Sequence, residues 1–220
     1  MRNIWLLLSG AGLALQFLLI RELAGRAMRM FPVFTAYAVT LFLVSVVMVA
    51  ALWNDDLFGS ANRYYWALEA IIQILIFLVV ISLIYGAMDR SEKRVVVRRV
   101  LIGGALLFVC VSLYFTRDPR PGRWMTQLSR NLGFLAVILN LVLWAVLIQS
   151  ERADRTLLMV SGGMGIQMAG KAIGHSLRQF SRSAIVPGDL IIVLSHLLCL
   201  CIWWQAFRHF DQNVQRSKVS

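Results

Sequence analysis

Seven side chains inside the long apolar runs of this sequence are of types that could do chemistry: Glu69, Gln73, Asn140, Gln167, Lys171, His175 and His196. They comprise a carboxylate, an ammonium, two imidazoles and three amides, the groups of an ion pair, a proton-exchange site or a pocket for a polar ligand. Gln167, Lys171 and His175 are four apart, as are Glu69 and Gln73, so on helices each set lies along one stripe. An ionised side chain at membrane depth costs about 3 kcal/mol on insertion, which makes each of these residues a candidate for function. The spacing predicts an outward-opening polar pocket that binds a ligand, formed by Glu69, Gln73, Gln167, Lys171, His175 and His196, with Asn140 deeper. The competing reading is a Glu69–Lys171 ion pair that fixes helix register, with the glutamines bonding helix to helix.

The elements that position these groups follow from composition. Of 220 residues, 59% are hydrophobic and 15% charged, against about 45–50% and about 25% in an ordinary soluble domain. Too little polar material remains to cover a water-facing surface, and the apolar residues lie in separate long runs without heptads or Gly-x-y periodicity. A soluble fold, disorder, coiled coil and collagen are therefore excluded. A bilayer core of about 30 Å takes about 17–25 helical residues, and seven runs meet that length: Ile4–Ile20, Phe31–Trp53, Tyr64–Gly86, Val100–Thr116, Asn131–Gln149, Thr156–Ser176 and Asp189–Phe207. Barrel strands would show alternation over about ten residues instead. The expectation is a single all-α transmembrane domain over residues 1–220, a bundle of about seven helices. No small-x-small cleavage site follows the first run cleanly, so that run is expected to be kept as a span. The sixth is the least apolar, with Gly162, Gly163, Gly165, Gly170 and Gly174 beside Gln167, Lys171 and His175; if it spans, it faces other helices.

At about 1.5 Å per residue, Glu69 lies about 8 Å from the outer end of its span, Lys171 about 8 Å and His196 about 10 Å, with His175 at the surface. Helices of alternating direction bring all four to the outer third of the bundle.

An outer N-terminus and inner C-terminus place 13 basic residues on the cytoplasmic side and 8 outside; Lys171, within a span, completes the 22. The positive-inside bias favours that orientation, against which the loop from Arg117 to Arg130 carries four arginines on the outer face. The net charge of +11 gathers at span ends, where anionic lipid headgroups are the expected partner at about 1 kcal/mol per contact. Nucleic acid is not expected. The segment Arg90–Arg99 is the expected docking surface for a cytoplasmic protein. With Arg178 and Arg182, the stiff stretch from Arg117 to Trp124 is placed to draw an anionic ligand toward the pocket. Tyr64, Tyr65 and Trp66 open the third span, and Trp203, Trp204 and Phe207 close the seventh, the pattern of interfacial aromatic belts.

Cys110, Cys199 and Cys201 all fall within spans, so structural disulfides are not expected. Cys199 and Cys201 point to opposite sides of a helix, so at most one joins His196, and no metal site is expected. Haem is the one cofactor for which ligands come near, through His175 and His196; otherwise none is expected. No phosphate loop, nucleotide fingerprint, nucleophile elbow or zinc-protease motif occurs, and no catalytic residue and no enzyme activity are expected. A seven-helix bundle with a lysine has the helix count of the microbial rhodopsins, but the last span reads Ile192-Val193-Leu194-Ser195-His196-Leu197-Leu198-Cys199, without the lysine that holds retinal.

The second span opens Phe31-Pro32-Val33-Phe34-x-x-Tyr37 and the third Tyr64-Tyr65-Trp66-Ala67-Leu68-Glu69. With the Gly-rich sixth span, these segments resemble a family of small bacterial membrane proteins of about seven helices to which no activity is assigned. The resemblance implies a helical bundle in the bacterial inner membrane and a recurring Tyr-x-x-x-x-Glu element that includes Glu69. A short chain whose loops cannot hold a soluble domain fits a membrane sensor that signals to a cytoplasmic partner. It also fits a structural or assembly subunit of a larger complex, or a small-solute or proton-coupled carrier.

Overall fold

The computed structural model describes residues 2–51, 55–87, 99, 103, 104, 110, 134–145, 147, 148, 155–180 and 182–216. Among them every regular element is helical: α1 (Arg2–Leu23), α2 (Arg26–Met30), α3 (Pro32–Ala51), α4 (Asp55–Ala87), α5 (Phe134–Ala145), α6 (Arg155–Phe180) and α7 (Ile185–Arg216), with a single 3₁₀ turn, Arg182–Ala184, joining α6 to α7. Among the described residues three helices are long and apolar enough to cross a membrane, over Ile4–Leu23, Pro32–Ala50 and Ile185–His209. Shorter apolar stretches occupy Ile71–Gly86 and Phe134–Ala145. This is a helical membrane protein. Of the expected spans, 100–116 lies outside the described residues except at helical positions 103, 104 and 110, as do the loop from Arg117 to Trp124 and all of Arg90–Arg99 but Arg99.

Element ends follow local chemistry. Gly25 breaks the chain between α1 and α2. Pro32 opens α3 at the position where a missing N–H costs nothing, and Thr35 folds its hydroxyl back onto the Phe31 carbonyl at 3.0 Å. α1 continues past the expected boundary at Ile20 because Leu23, fully buried, still packs in the core. α4 begins at Asp55, nine residues before the apolar run, since acidic residues suit a helix N-terminus and nothing between Asp55 and Tyr64 forbids helix. α7 likewise runs beyond Phe207 to Arg216.

Packing centres on an antiparallel hairpin of α6 and α7, the most extensive contact in the fold; α7 also packs on α1, and α3 on both α1 and α4. Lipid tails are as apolar as leucine, so helices associate through close fit and interhelical hydrogen bonds. The hairpin shows both. A Cβ on Gly163 would stand 2.7 Å from Trp203 Nε1, and Gly170 and Gly174 leave room for Ser195, Ile192 and the Gly188 backbone. Arg178 and Asp189 form an ion pair where the hairpin turns.

One expectation about aromatics is corrected. Trp203 and Phe207 do not join an interfacial belt: both are fully buried, packed on Phe34, with ring centroids 4.9 and 5.2 Å away. Trp203 leaves the interface because its indole N–H finds the Val160 carbonyl at 2.9 Å, and a satisfied donor lets the large ring bury. Trp204 lies under the Arg208 guanidinium, which stands 5.3 Å from the centre of its ring. The side chains of Tyr64, Tyr65 and Trp66 lie outside the described residues.

Candidate functional site

Where α1, α3, α6 and α7 meet, a continuous polar chain runs through the apolar interior. His196 of α7 is its centre. Its Nδ1 lies 3.0 Å from Gln167 Nε2 on α6, and its Nε2 lies 3.3 Å from Gln16 Nε2 on α1. Gln16 donates to Ser45 Oγ on α3 at 3.1 Å, and Ser45 donates to the Leu41 carbonyl at 2.8 Å. Beyond Gln167, Cys199 Sγ stands 3.6 Å from the amide oxygen. Four helices are thus joined through one imidazole whose two nitrogens both have amide partners. Gln16 and Gln167 are 2% and 4% exposed, so these contacts are made away from water.

Local sequence explains the convergence. Gln167 lies between Gly163 and Gly170 on the glycine-bearing side of α6 that α7 covers, which brings the α7 backbone close enough for a glutamine to reach the ring. On α7, Cys199 follows His196 by three residues and shares its face. Lys171, one turn beyond Gln167, is half-buried. One turn further, His175 is exposed. The stripe of three therefore descends from surface to interior and ends on the imidazole.

Of the seven residues singled out in the sequence, Gln167 and His196 are in contact, and Lys171 lies one turn along α6 from Gln167. Asn140, on α5, is buried elsewhere on α6, where its amide donates to the Ser161 carbonyl at 3.2 Å and packs on Gly165. Gln73 is buried on α4, which packs chiefly on α3 and meets α6 only slightly. Glu69 is helical within α4, but its side chain, and with it the Glu69–Lys171 pair, lies outside the described residues. His175 lies eight residues along α6 from Gln167, a rise of about 12 Å, so the two histidines weighed for haem stand at different depths. Among the described residues no group of three or more His, Cys, Asp or Glu side chains converges to hold a metal.

Sequence reasoning missed Gln16, Ser45 and the polar role of Cys199. Gln16 is a glutamine in the middle of an apolar run, the same signal that marks Gln73. It has no polar residue four positions away, Gly12 and Ile20 standing there, so a search for stripes passes over it.

Compared with protein-family models, with curated proteins and with solved structures, the chain matches none.

Proposed function

We propose that this protein is a membrane sensor: a ligand-binding module whose polar intramembrane site opens to the outer face and reports occupancy to a cytoplasmic partner. The observation that carries the reading is the His196 imidazole, held at one nitrogen by α1 and at the other by α6. A neutral imidazole has one donor and one acceptor nitrogen. Anything that bonds the ring, or changes its proton, must therefore displace or turn an amide on a different helix. Such a junction passes a local event to helix packing, as a two-state sensing element requires. The graded stripe of His175, Lys171 and Gln167 supplies the approach from the outer end of α6.

The remaining features belong to the same proposal. They are a bundle of about seven spans with an outer N-terminus, residence in the bacterial inner membrane, anionic lipid at the basic loops, and partner docking at Arg90–Arg99. Mass spectrometry under native conditions, on protein gently extracted from its own membrane, tests the function. A bound small mass, retained by the native chain and lost in Gln167→Leu, is the expected result. A bare monomer carrying only lipid overturns the sensor reading, and additional protein subunits replace it with an assembly subunit of a larger complex.

A further inference from the structure

Gln16 is 2% exposed, yet among the described residues its Oε1 meets no hydrogen-bond donor. Counting hydrogens along the chain shows that this oxygen is the group left over. Ser45 has one hydroxyl hydrogen, and it goes to the Leu41 carbonyl at 2.8 Å. Toward Gln16, Ser45 can therefore only accept, which fixes the Gln16 nitrogen on Ser45 at 3.1 Å and on His196 Nε2 at 3.3 Å. With Nε2 accepting, the single hydrogen of the neutral ring sits on Nδ1. Gln167 then turns its amide oxygen to Nδ1 and its nitrogen to the Cys199 sulfur, since oxygen and nitrogen of an amide are assigned by the hydrogen bonds they make. With these assignments Gln16 Oε1 is the acceptor of the chain that no donor among the described residues meets.

A buried amide oxygen without a partner costs about 1–3 kcal/mol, and a guest with a hydrogen to give recovers it. A cationic guest is disfavoured by the cost of charge at membrane depth. A neutral donor remains. Resting on the sensor reading above, we infer that the site holds one hydroxyl group that donates to Gln16 Oε1, carried by a water molecule or by a membrane-soluble alcohol.

The test uses the full chain in liposomes, with glutamine and histidine isotopically labelled, and reads magnetisation transfer from water to the Gln16 carboxamide by solid-state NMR. Native mass spectrometry of the extracted protein runs beside it. Transfer from water to the Gln16 carboxamide, with no retained alcohol mass, identifies water as the guest. No transfer, with a retained alcohol mass that is lost in Gln16→Leu, identifies the alcohol. Where the leucine variant fails to fold, Gln16→Met keeps the length of the side chain and is read in the same way. Absence of both signals, with the His196–Gln167 cross-peak intact, overturns the inference. A retained mass that survives Gln16→Leu but not Gln167→Leu overturns it while leaving the sensor reading in place.

Discussion

At the scale of residues, the molecule turns on what one imidazole can and cannot do. His196 has two nitrogens and, when neutral, one hydrogen, and the chain spends both nitrogens on glutamines of different helices. Interhelical hydrogen bonds in membranes contribute about 0.6 kcal/mol on average and rarely more than about 1.7, so Gln167→Leu is expected to destabilise by about 1 kcal/mol in a reversible unfolding assay. Trp203→Phe removes the bond to the Val160 carbonyl while keeping most of the ring, and the expected loss in the same assay is again about 1 kcal/mol. Gln167 and His196 were legible in the sequence because polar groups at membrane depth are few. Their contact was not, since it depends on α6 and α7 closing to glycine distance. Gln16 and Ser45 escaped notice because neither has a polar residue four positions away on its own helix, their partners lying across helix boundaries that a linear pattern does not cross.

At the scale of elements, the α6–α7 hairpin is the framework of the site. The glycines of α6 make it a poor lipid-facing helix and a good partner, and α7 of the same chain occupies the face they leave bare. The sequence marked that face through Gly170 and Gly174, four residues apart. It did not mark Gly163 as the seat of Trp203, because a tryptophan near the end of a span reads equally as an interfacial anchor. Gly170→Leu is expected to force the hairpin apart, with a loss above about 3 kcal/mol or failure to fold, because the displaced group is packed helix rather than a flexible end. Gly10→Ala, at a position with nothing within 4 Å of the added carbon, is expected to leave stability unchanged or slightly raised. Thermal unfolding of the two variants in one detergent provides the comparison, and equal losses would mean that the hairpin is not packed through its glycines.

At the scale of the whole molecule, directions are internally consistent. α1 and α7 run the same way, with Gln16 beside His196 and, further along, Phe31 against Phe207 at 5.6 Å, while α6 runs opposite to α7. Under the proposed orientation the turn at Ser183 lies outside and α2 lies inside. In a cysteine-free background, Ser183→Cys is expected to react with a membrane-impermeant maleimide in intact cells, and Met28→Cys only after permeabilisation; the reverse pattern would invert the bundle. Membrane residence was legible from composition because a water-facing surface cannot be built from so few charged side chains. Three of the expected spans stand out by both length and composition. The Gly-rich sixth is helical but too polar to be recognised by composition, since its burial is supplied by other helices.

The central claim is that one imidazole couples α1 to α6, and a double-mutant cycle in bilayers measures that coupling directly. Gln16→Leu, Gln167→Leu and the double variant are compared with the native chain by reversible unfolding. Both glutamines act through His196, so the losses are expected to be non-additive by at least about 0.5 kcal/mol. Additivity within about 0.3 kcal/mol would mean that the two helices do not communicate through the ring, and would contradict the account.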